Sequence, residues 1–325
     1  MKADETPTRE HVRAKQHFTA RVTADAADGW PVQAGRYRLV INRGCPWAHR
    51  VVLARQLLGL GRAVSLAETD PVRELIDGDF HWVFSEETGS PGGVDPVLGI
   101  HALREAYLAA DPAYTGGVSV PALVDVRTGG LVSNDYDGLL TDFATEWRPL
   151  HADDAPDLYP EALREEIAQV SEELHLDVND GVYKAGFAPS QESYDGAVAR
   201  LFARLDRIEE RLSGRRYLVG DHLTVADLRL WPTLIRFDPV YHGLFKCNVR
   251  RIRDYPALWG YTRDLYQTPG FAETVNFAQI KRSYYYGIPG INPTRIVPAG
   301  PDESELLTPH DRALLGGTPF RTRVA

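Results

Sequence analysis

Residues 37–67 constrain the fold of this chain more than any other segment. Tyr37–Ile41 is rich in β-forming side chains and predicts a strand. Apolar residues then recur at helical spacing over residues 46–58, and residues 63–67 predict a second strand. A strand, a helix and a second strand in this order form a βαβ unit. The first part of the chain is therefore expected to be an α/β domain.

The same domain is predicted to continue to residue 148. Its further elements are a glycine-rich loop at residues 71–95, a helix at 101–110, two strands at 118–125 and 131–133 joined by a Gly-Gly turn, and a helix at 137–147. The two strands form a β-hairpin. We therefore expect the order β-α-β-α-β-β-α over residues 36–148, preceded by an extension over residues 1–35.

The second half of the chain predicts helices only. Residues 149–160 are polar and contain proline, as a linker does, and residues 161–286 carry apolar residues at helical spacing. Thr224 and Asp227 form a capping box that begins one of these helices. The result is an all-α domain over residues 161–286. The proline-rich tail, residues 287–325, predicts an extended arm.

Charge and composition argue against several classes of function. The formal net charge is −9, with Asp+Glu 45 against Lys+Arg 36, so nucleic acid is not expected as a partner. No run of about 18 apolar residues exists, which argues against a transmembrane helix. The polar N-terminus lacks the apolar run of a secretory signal. We expect a cytoplasmic protein without a membrane partner.

The cysteines, Cys45 and Cys247, are too few for a disulfide scaffold or a four-cysteine zinc site. We expect two reduced thiols, no metal and no permanently bound cofactor. Cys45 lies between the first predicted strand and helix. Pro46 follows it, and proline is favoured as the first helical residue, so Cys45 is the predicted N-cap. The helix dipole and the N–H groups there stabilise a thiolate and lower the pKa of cysteine.

The alternative for Cys45 is a buried structural thiol that happens to precede a proline. Position 48 is alanine where a dithiol oxidoreductase has its second cysteine. A mixed disulfide on Cys45 must then be resolved by an external thiol, which favours a small thiol as co-substrate.

Val120 and Pro121 give a second signal. A proline at the head of a strand in this fold is often cis, and it then places the preceding backbone N–H and C=O beside the thiol. Those groups can pair with the backbone of a cysteine-containing ligand. The alternative is an ordinary proline of an edge strand.

Several motifs together resemble the xi-class glutathione transferases, the glutathionyl-hydroquinone reductases. The matching segments are residues 45–50 (Cys-Pro-Trp-Ala-His-Arg), 111–115, 120–121, 179–187, 216–220, 236–243, 245–248 and 291–293. They lie in both predicted domains, between about residues 36 and 301, and few other families would show even two of them.

The resemblance implies a thioredoxin-like N-terminal domain and an all-α C-terminal domain, joined in a homodimer. It implies an enzyme in which Cys45 attacks the sulfur of a glutathionyl-hydroquinone, the hydroquinone leaves, and a second thiol releases a disulfide. Tyr183 is then the proton donor to the leaving aromatic carbon. Tyr241 and Tyr284 help to hold the thiolate, since phenol hydroxyls can donate to it. Trp82 matches the tryptophan that packs on glutathione.

Outside these motifs, packing is the default role for a tyrosine, and Cys247 is expected to be a packed structural thiol.

Three positions depart from the family pattern in the thiol pocket. Gly117 replaces an arginine, and Asp135-Tyr136 replaces a Glu-Ser pair that takes the γ-glutamyl end. The loss of the arginine removes a carboxylate partner. The basic residues are mostly arginine and the chain is rich in Ala, Gly and Asp, which suggests a high-GC genome. The co-substrate is thus glutathione or mycothiol, the sugar-linked thiol of actinobacteria, which needs no γ-glutamyl pocket.

Two other functions stay open at this point. A general disulfide reductase or conjugating transferase would share Cys45 and use another acceptor. A non-catalytic interaction module with the same fold would need neither a thiolate nor a proton donor.

Overall fold

The computed structural model describes residues 16–320, which divide into two units. Residues 16–155 and 276–283 form the first unit, and residues 156–275 and 284–320 form the second. The predicted extension and arm also include residues 1–15 and 321–325, which lie outside the described residues.

The first unit is built on a mixed sheet with the order β2-β1-β5-β6. The fully buried β1 (Tyr37–Ile41) pairs in parallel with β2 (Val64–Glu68), and Tyr37 lies opposite Val64. β1 also pairs in antiparallel fashion with β5 (Ala122–Asp125), which pairs with β6 (Leu131–Ser133). The predicted βαβ unit and hairpin are confirmed, and the sheet is the one expected of a thioredoxin-like domain.

Helices cover the sheet in the first unit and make up the core of the second. In chain order they are α1 (Pro46–Leu57), α2 (Leu103–Ala110) and α3 (Tyr136–Thr145) in the first unit, α4 (Arg164–Leu174), α5 (Gly181–Gly186), α6 (Gln191–Ser213), α7 (Val225–Arg236) and α8 (Pro256–Gln267) in the second, and α9 (Phe277–Lys281) in the first.

The loop predicted for residues 71–95 contains a short hairpin instead, formed by β3 (Glu74–Ile76) and β4 (Asp79–His81). Its turn is Asp77-Gly78, and both residues have positive φ. An Asp-Gly pair favours such a turn. The prediction failed because each strand has only three residues, too few to show an alternating pattern.

The strand predicted from residue 118 begins only at Ala122. Proline has no N–H to donate to a neighbouring strand, so Pro121 delays the start of the ladder.

Residues 16–24 lie along β6 and α3. Thr19 forms an antiparallel bridge with Ser133, and the Asn134 N–H donates to the Phe18 carbonyl at 2.9 Å. The Arg21 guanidinium pairs with the buried Asp142 carboxylate of α3. The segment therefore covers the edge strand of the sheet, an edge that proteins usually protect.

The second unit confirms the capping box. Asp227 Oδ2 accepts the Thr224 N–H at 2.8 Å, and Thr224 is the N-cap of α7. The last described residues contain two 3-10 turns, Glu303–Leu307 and Arg312–Leu315. The buried Arg312 guanidinium donates to the Leu212 carbonyl at 2.6 Å, which fixes the tail on the end of α6.

Within the described residues, three segments of π-helix interrupt the helical pattern: His175–Asn179, Phe237–Tyr241 and Arg282–Tyr286. No helix within residues 16–320 is long and apolar enough to cross a membrane.

Candidate active site

Cys45 is the N-cap of α1, with Pro46 as the first helical residue, as the sequence predicts. Its side chain is half-buried, and Sγ accepts the Ala48 N–H at 3.5 Å. An N–H group directed at sulfur favours the charged thiolate over the neutral thiol. The strand-to-helix turn thus presents the sulfur to the N-terminus of α1.

The Val120-Pro121 peptide bond is cis, also as predicted. The Val120 carbonyl lies 3.5 Å from Cys45 Sγ, and the thiol donates to it. This contact favours the neutral thiol and opposes the effect of the Ala48 N–H. The carbonyl is well placed to accept an N–H of a cysteine-containing ligand whose sulfur meets Cys45.

Cationic side chains near Cys45 are paired with carboxylates. Arg43 forms an ion pair with Glu68, and Arg50 contacts Asp137 at 3.1 Å. The Arg50 guanidinium also lies 4.5 Å from the ring centroid of Trp47. These carboxylates partly neutralise the two arginines, and the helix N-terminus adds positive potential at the sulfur.

Asp135 and Tyr136 begin α3. Asp135 is the N-cap, and its Oδ1 accepts the N–H groups of Asp137 and Gly138 at 3.1 Å each. The Tyr136 ring packs on Trp47 of α1 with centroids 4.7 Å apart. Tyr136 is therefore part of the packing between α1 and α3, and its ring takes up more space than the serine of the family pattern would.

Trp82 directly follows β4 in the same unit. Its carbonyl accepts the Leu103 N–H at 2.9 Å, and the guanidinium of Arg73 lies 5.3 Å from its ring centroid. The side chain is half-buried. The Trp82 ring is therefore partly accessible to solvent.

In the second unit, the three tyrosines singled out by the motifs form one hydrogen-bonded chain. The Tyr284 hydroxyl lies 2.6 Å from that of Tyr183 and 3.0 Å from that of Tyr241. Tyr241 and Tyr284 are buried, whereas Tyr183 is half-buried. Tyr183 is thus the accessible end of the chain.

Burial raises the pKa of Tyr241 and of Tyr284 well above that of a free tyrosine. Both phenols stay protonated at neutral pH. If Tyr241 donates to Tyr284 and Tyr284 donates to Tyr183, the Tyr183 hydroxyl can still donate its own proton to an acceptor. The chain can therefore supply a proton at Tyr183 and spread the resulting negative charge over neighbouring hydroxyls.

Phe245 holds these tyrosines in place. Its ring centroid lies 5.4 Å from Tyr183, 5.3 Å from Tyr241 and 5.7 Å from Tyr284. Only a glycine at position 186 leaves space for the Phe245 ring, since a Cβ on residue 186 would lie 2.3 Å from it. Sequence reasoning did not select Phe245 for a role, although it lies within a matching motif.

Cys247 is fully buried, and its sulfur lies 3.9 Å from the carbonyls of Val182 and Phe245. Burial raises its pKa to about 12. This environment suits the packed, unreactive thiol that was expected.

Comparisons with known proteins identify the family. A family model described as the C-terminal domain of glutathione S-transferase matches residues 191–264. The glutathionyl-hydroquinone reductase YqjG of Escherichia coli (strain K12) is 43% identical over 307 residues, which are 92% of this chain and 91% of the relative. The glutathionyl-hydroquinone reductase PcpF of Sphingobium chlorophenolicum is 40% identical over 273 residues, 84% of this chain and 85% of the relative.

The chain belongs to the xi-class glutathione transferases, the glutathionyl-hydroquinone reductase family. Solved structures agree. A glutathione transferase from Gordonia bronchialis DSM 43247 is 51% identical with a TM-score of 0.89, covering 93% of this chain and 92% of that chain. The glutathione-bound structure of Escherichia coli K-12 YqjG is 43% identical with a TM-score of 0.85, covering 92% and 96%. The xi-class resemblance and the fold class are thereby confirmed.

Proposed function

We propose that this chain is a thiol-dependent reductase that removes a small thiol from S-conjugated hydroquinones. The Cys45 thiolate attacks the sulfur of the conjugate, so an S–S bond forms and the carbon–sulfur bond breaks. Tyr183 protonates the departing aromatic carbon. A second small thiol then attacks the mixed disulfide, releases a disulfide and regenerates Cys45. In total, one conjugate and one free thiol give one hydroquinone and one disulfide: the aromatic carbon is reduced by two electrons, and the two sulfurs that form the disulfide are oxidised by one electron each.

The observation that carries this proposal is the chain of hydroxyls that ends at Tyr183. A carbon leaving group needs a positioned acid, whereas the sulfur leaving group of an ordinary disulfide does not. The rival function of a general disulfide reductase or conjugating transferase uses Cys45 and has no need of this chain. A non-catalytic interaction module has no need of either group. Family membership supports the same choice, because two relatives are named glutathionyl-hydroquinone reductases.

We further propose that the protein acts as a cytoplasmic homodimer, with Trp82, the Val120-Pro121 backbone and the Asp135-Tyr136 pair lining the pocket for the small thiol. Tyr241 and Tyr284 support the thiolate and the proton donor.

Turnover of one S-conjugated hydroquinone tests the mechanism. Cys45→Ala should abolish turnover, whereas Cys247→Ala should retain most of it. Tyr183→Phe should slow turnover by roughly 10²–10⁴-fold, the loss typical of a general acid, and should leave the reaction of Cys45 with a simple disulfide nearly unchanged. Equal losses in both reactions would instead assign Tyr183 to packing and favour the general disulfide reductase.

The small thiol is the second open question. Asp135 Oδ1 caps α3, and Oδ2 has no hydrogen-bond partner within residues 16–320, so one oxygen can accept an ammonium. Gly117 offers no partner for a carboxylate. An unpaired buried polar group costs about 1–3 kcal/mol, which is roughly a 5- to 150-fold loss in binding. We propose that glutathione works poorly and that mycothiol works better.

Steady-state kinetics with both thiols on matched conjugates decides this point. A Cβ at Gly117 would meet nothing within 4 Å, so Gly117→Arg tests the missing partner without a steric conflict. Because position 117 is exposed, the added ion pair should raise kcat/KM with glutathione by up to about fivefold and leave that with mycothiol nearly unchanged. A higher kcat/KM with glutathione in the unaltered protein would show that the three departures are neutral.

A further inference from the structure

Asn42 lies directly after β1, at the start of the loop that leads to Cys45. Its side chain is 1% exposed. Oδ1 accepts the Gly44 N–H at 2.9 Å and the Ser283 hydroxyl at 3.3 Å. Nδ2 donates to Thr69 Oγ1 at 3.1 Å and to the Asp70 carbonyl at 2.8 Å. A carboxamide has two donors and two acceptor positions, so this side chain is fully satisfied.

These contacts define the conformation of the cysteine loop. The backbone carbonyl of Asn42 accepts the Cys45 N–H at 3.0 Å, while Oδ1 holds the N–H of Gly44. The same side chain fixes the loop to the end of β2 through Thr69, whose N–H donates to the Ile41 carbonyl at 2.8 Å. The position of the sulfur therefore depends on one buried amide between the ends of two strands.

Ser283 closes the loop from a segment 241 residues further along the chain. A Cβ added to Gly44 would lie 2.3 Å from Ser283 Oγ, 2.4 Å from Ser283 Cβ and 2.9 Å from Asn42 Oδ1. Position 44 therefore accommodates only glycine while Ser283 is in place. Ser283 directly precedes Tyr284 in the sequence.

We propose that Asn42 is a positioning residue for Cys45. We also propose that the hydrogen bond from Ser283 holds the Asn42 side chain, and with it the cysteine loop (residues 42–45), in place. The inference rests on the proposed function only through the role of Cys45 as the nucleophile. Neither residue is expected to touch substrate.

Alkylation of Cys45 by iodoacetamide tests the proposal separately from hydroquinone turnover. The rate is measured against pH, and the alkylated site is identified by mass spectrometry. Asn42→Ala should move the pH profile upward and slow alkylation at pH 7 by up to about thirtyfold, the fall in thiolate fraction when the pKa of a cysteine returns to the free value of about 8.5. Asn42→Asp keeps the acceptor for Gly44 but loses the Nδ2 donor and adds a carboxylate near the sulfur, so it should move the profile upward as well.

Thr262→Val in the second unit is the matched control for lost stability. Thr262 is equally buried, and its hydroxyl donates to the Leu258 carbonyl at 2.8 Å. Its Tm should fall while the alkylation profile of Cys45 stays in place. An Asn42→Ala protein that loses stability but keeps the wild-type profile would overturn the proposal.

A variant of Ser283 tests its contact even if Asn42→Ala does not fold. Ser283→Ala removes the hydroxyl that donates to Asn42 Oδ1 at 3.3 Å. It should slow alkylation of Cys45 and move the pH profile upward, in the same direction as Asn42→Ala and by a smaller extent. A Ser283→Ala protein with the wild-type profile would show that Ser283 does not hold the loop. If the conjugate is not reduced but these alkylation results hold, the proposed function fails and the positioning role stands.

Discussion

At the scale of single residues, the two cysteines differ in reactivity because their local environments differ. Cys45 is half-buried at a helix N-terminus and accepts an N–H at its sulfur. Cys247 is fully buried, and its sulfur lies 3.9 Å from two carbonyl oxygens. The first environment favours a thiolate, and the second favours a neutral thiol.

We therefore predict that the thiols titrate far apart. In Cys247→Ala, where Cys45 is the remaining thiol, thiolate absorbance should appear with a midpoint below the free-cysteine value of about 8.5. In Cys45→Ala, the absorbance of Cys247 should not appear below pH 10, because its pKa is raised to about 12. A normal midpoint for Cys45 would remove the first step of the proposed mechanism.

At the scale of elements, the three tyrosines of the hydrogen-bonded chain lie in the π-helical segments or just after one. Tyr241 ends one segment, Tyr284 lies inside another, and Tyr183 follows the end of a third by four residues. π-helical turns are rare and are frequent at functional sites. The wider turn changes the direction in which the following side chains point, which an uninterrupted α-helix would not do.

Gly186 is the element-scale position with the sharpest expected effect. Gly186→Ala would force the Phe245 ring away, since the new Cβ would lie 2.3 Å from it. The three tyrosines contact this ring, so we predict a loss of hydroquinone turnover together with a loss of stability of about 1–3 kcal/mol, typical of overpacking. Urea unfolding and turnover assays measure the two effects.

Gly196→Ala in α6 is the matched control. Its added Cβ would meet only the end of the Arg200 side chain, at 3.5 Å. Alanine is a better helix former than glycine, so this variant should gain up to about 1 kcal/mol and keep full turnover. A Gly186→Ala protein with normal turnover would show that Phe245 does not set the tyrosine positions.

Much of this architecture was predictable from local pattern. The βαβ unit, the N-cap at Cys45, the cis bond at Pro121 and the capping box at Thr224 each depend on a few neighbouring residues. The π-segments were not predictable, because apolar spacing indicates a helix without resolving its hydrogen-bond register. The role of Asn42 was also missed, since its partner Ser283 is brought to it only by the tertiary fold.

At the scale of the whole molecule, both units bury neutral acids. Burial raises the pKa of Tyr37 to about 12 in the first unit, and it raises the pKa values of Cys247, Tyr241 and Tyr261 in the second. Each group holds its proton more tightly in the folded than in the unfolded state. The stability they support is complete below the unfolded pKa and is lost as pH rises toward the folded pKa.

Cys247 gives this pH dependence its earliest onset, because an unfolded cysteine ionises near pH 8.5 and an unfolded tyrosine only near pH 10. Each such group changes the free energy of unfolding by about 1.4 kcal/mol per pH unit. We predict that the free energy of unfolding falls by about 2 kcal/mol between pH 8.5 and pH 10. Cys247→Ala should be less stable at pH 7 because of its cavity, but its free energy of unfolding should fall much less over the same interval. Urea unfolding at a series of pH values measures both slopes. Parallel slopes would mean that Cys247 ionises as readily in the folded protein as in the unfolded chain, and so is not sealed from solvent.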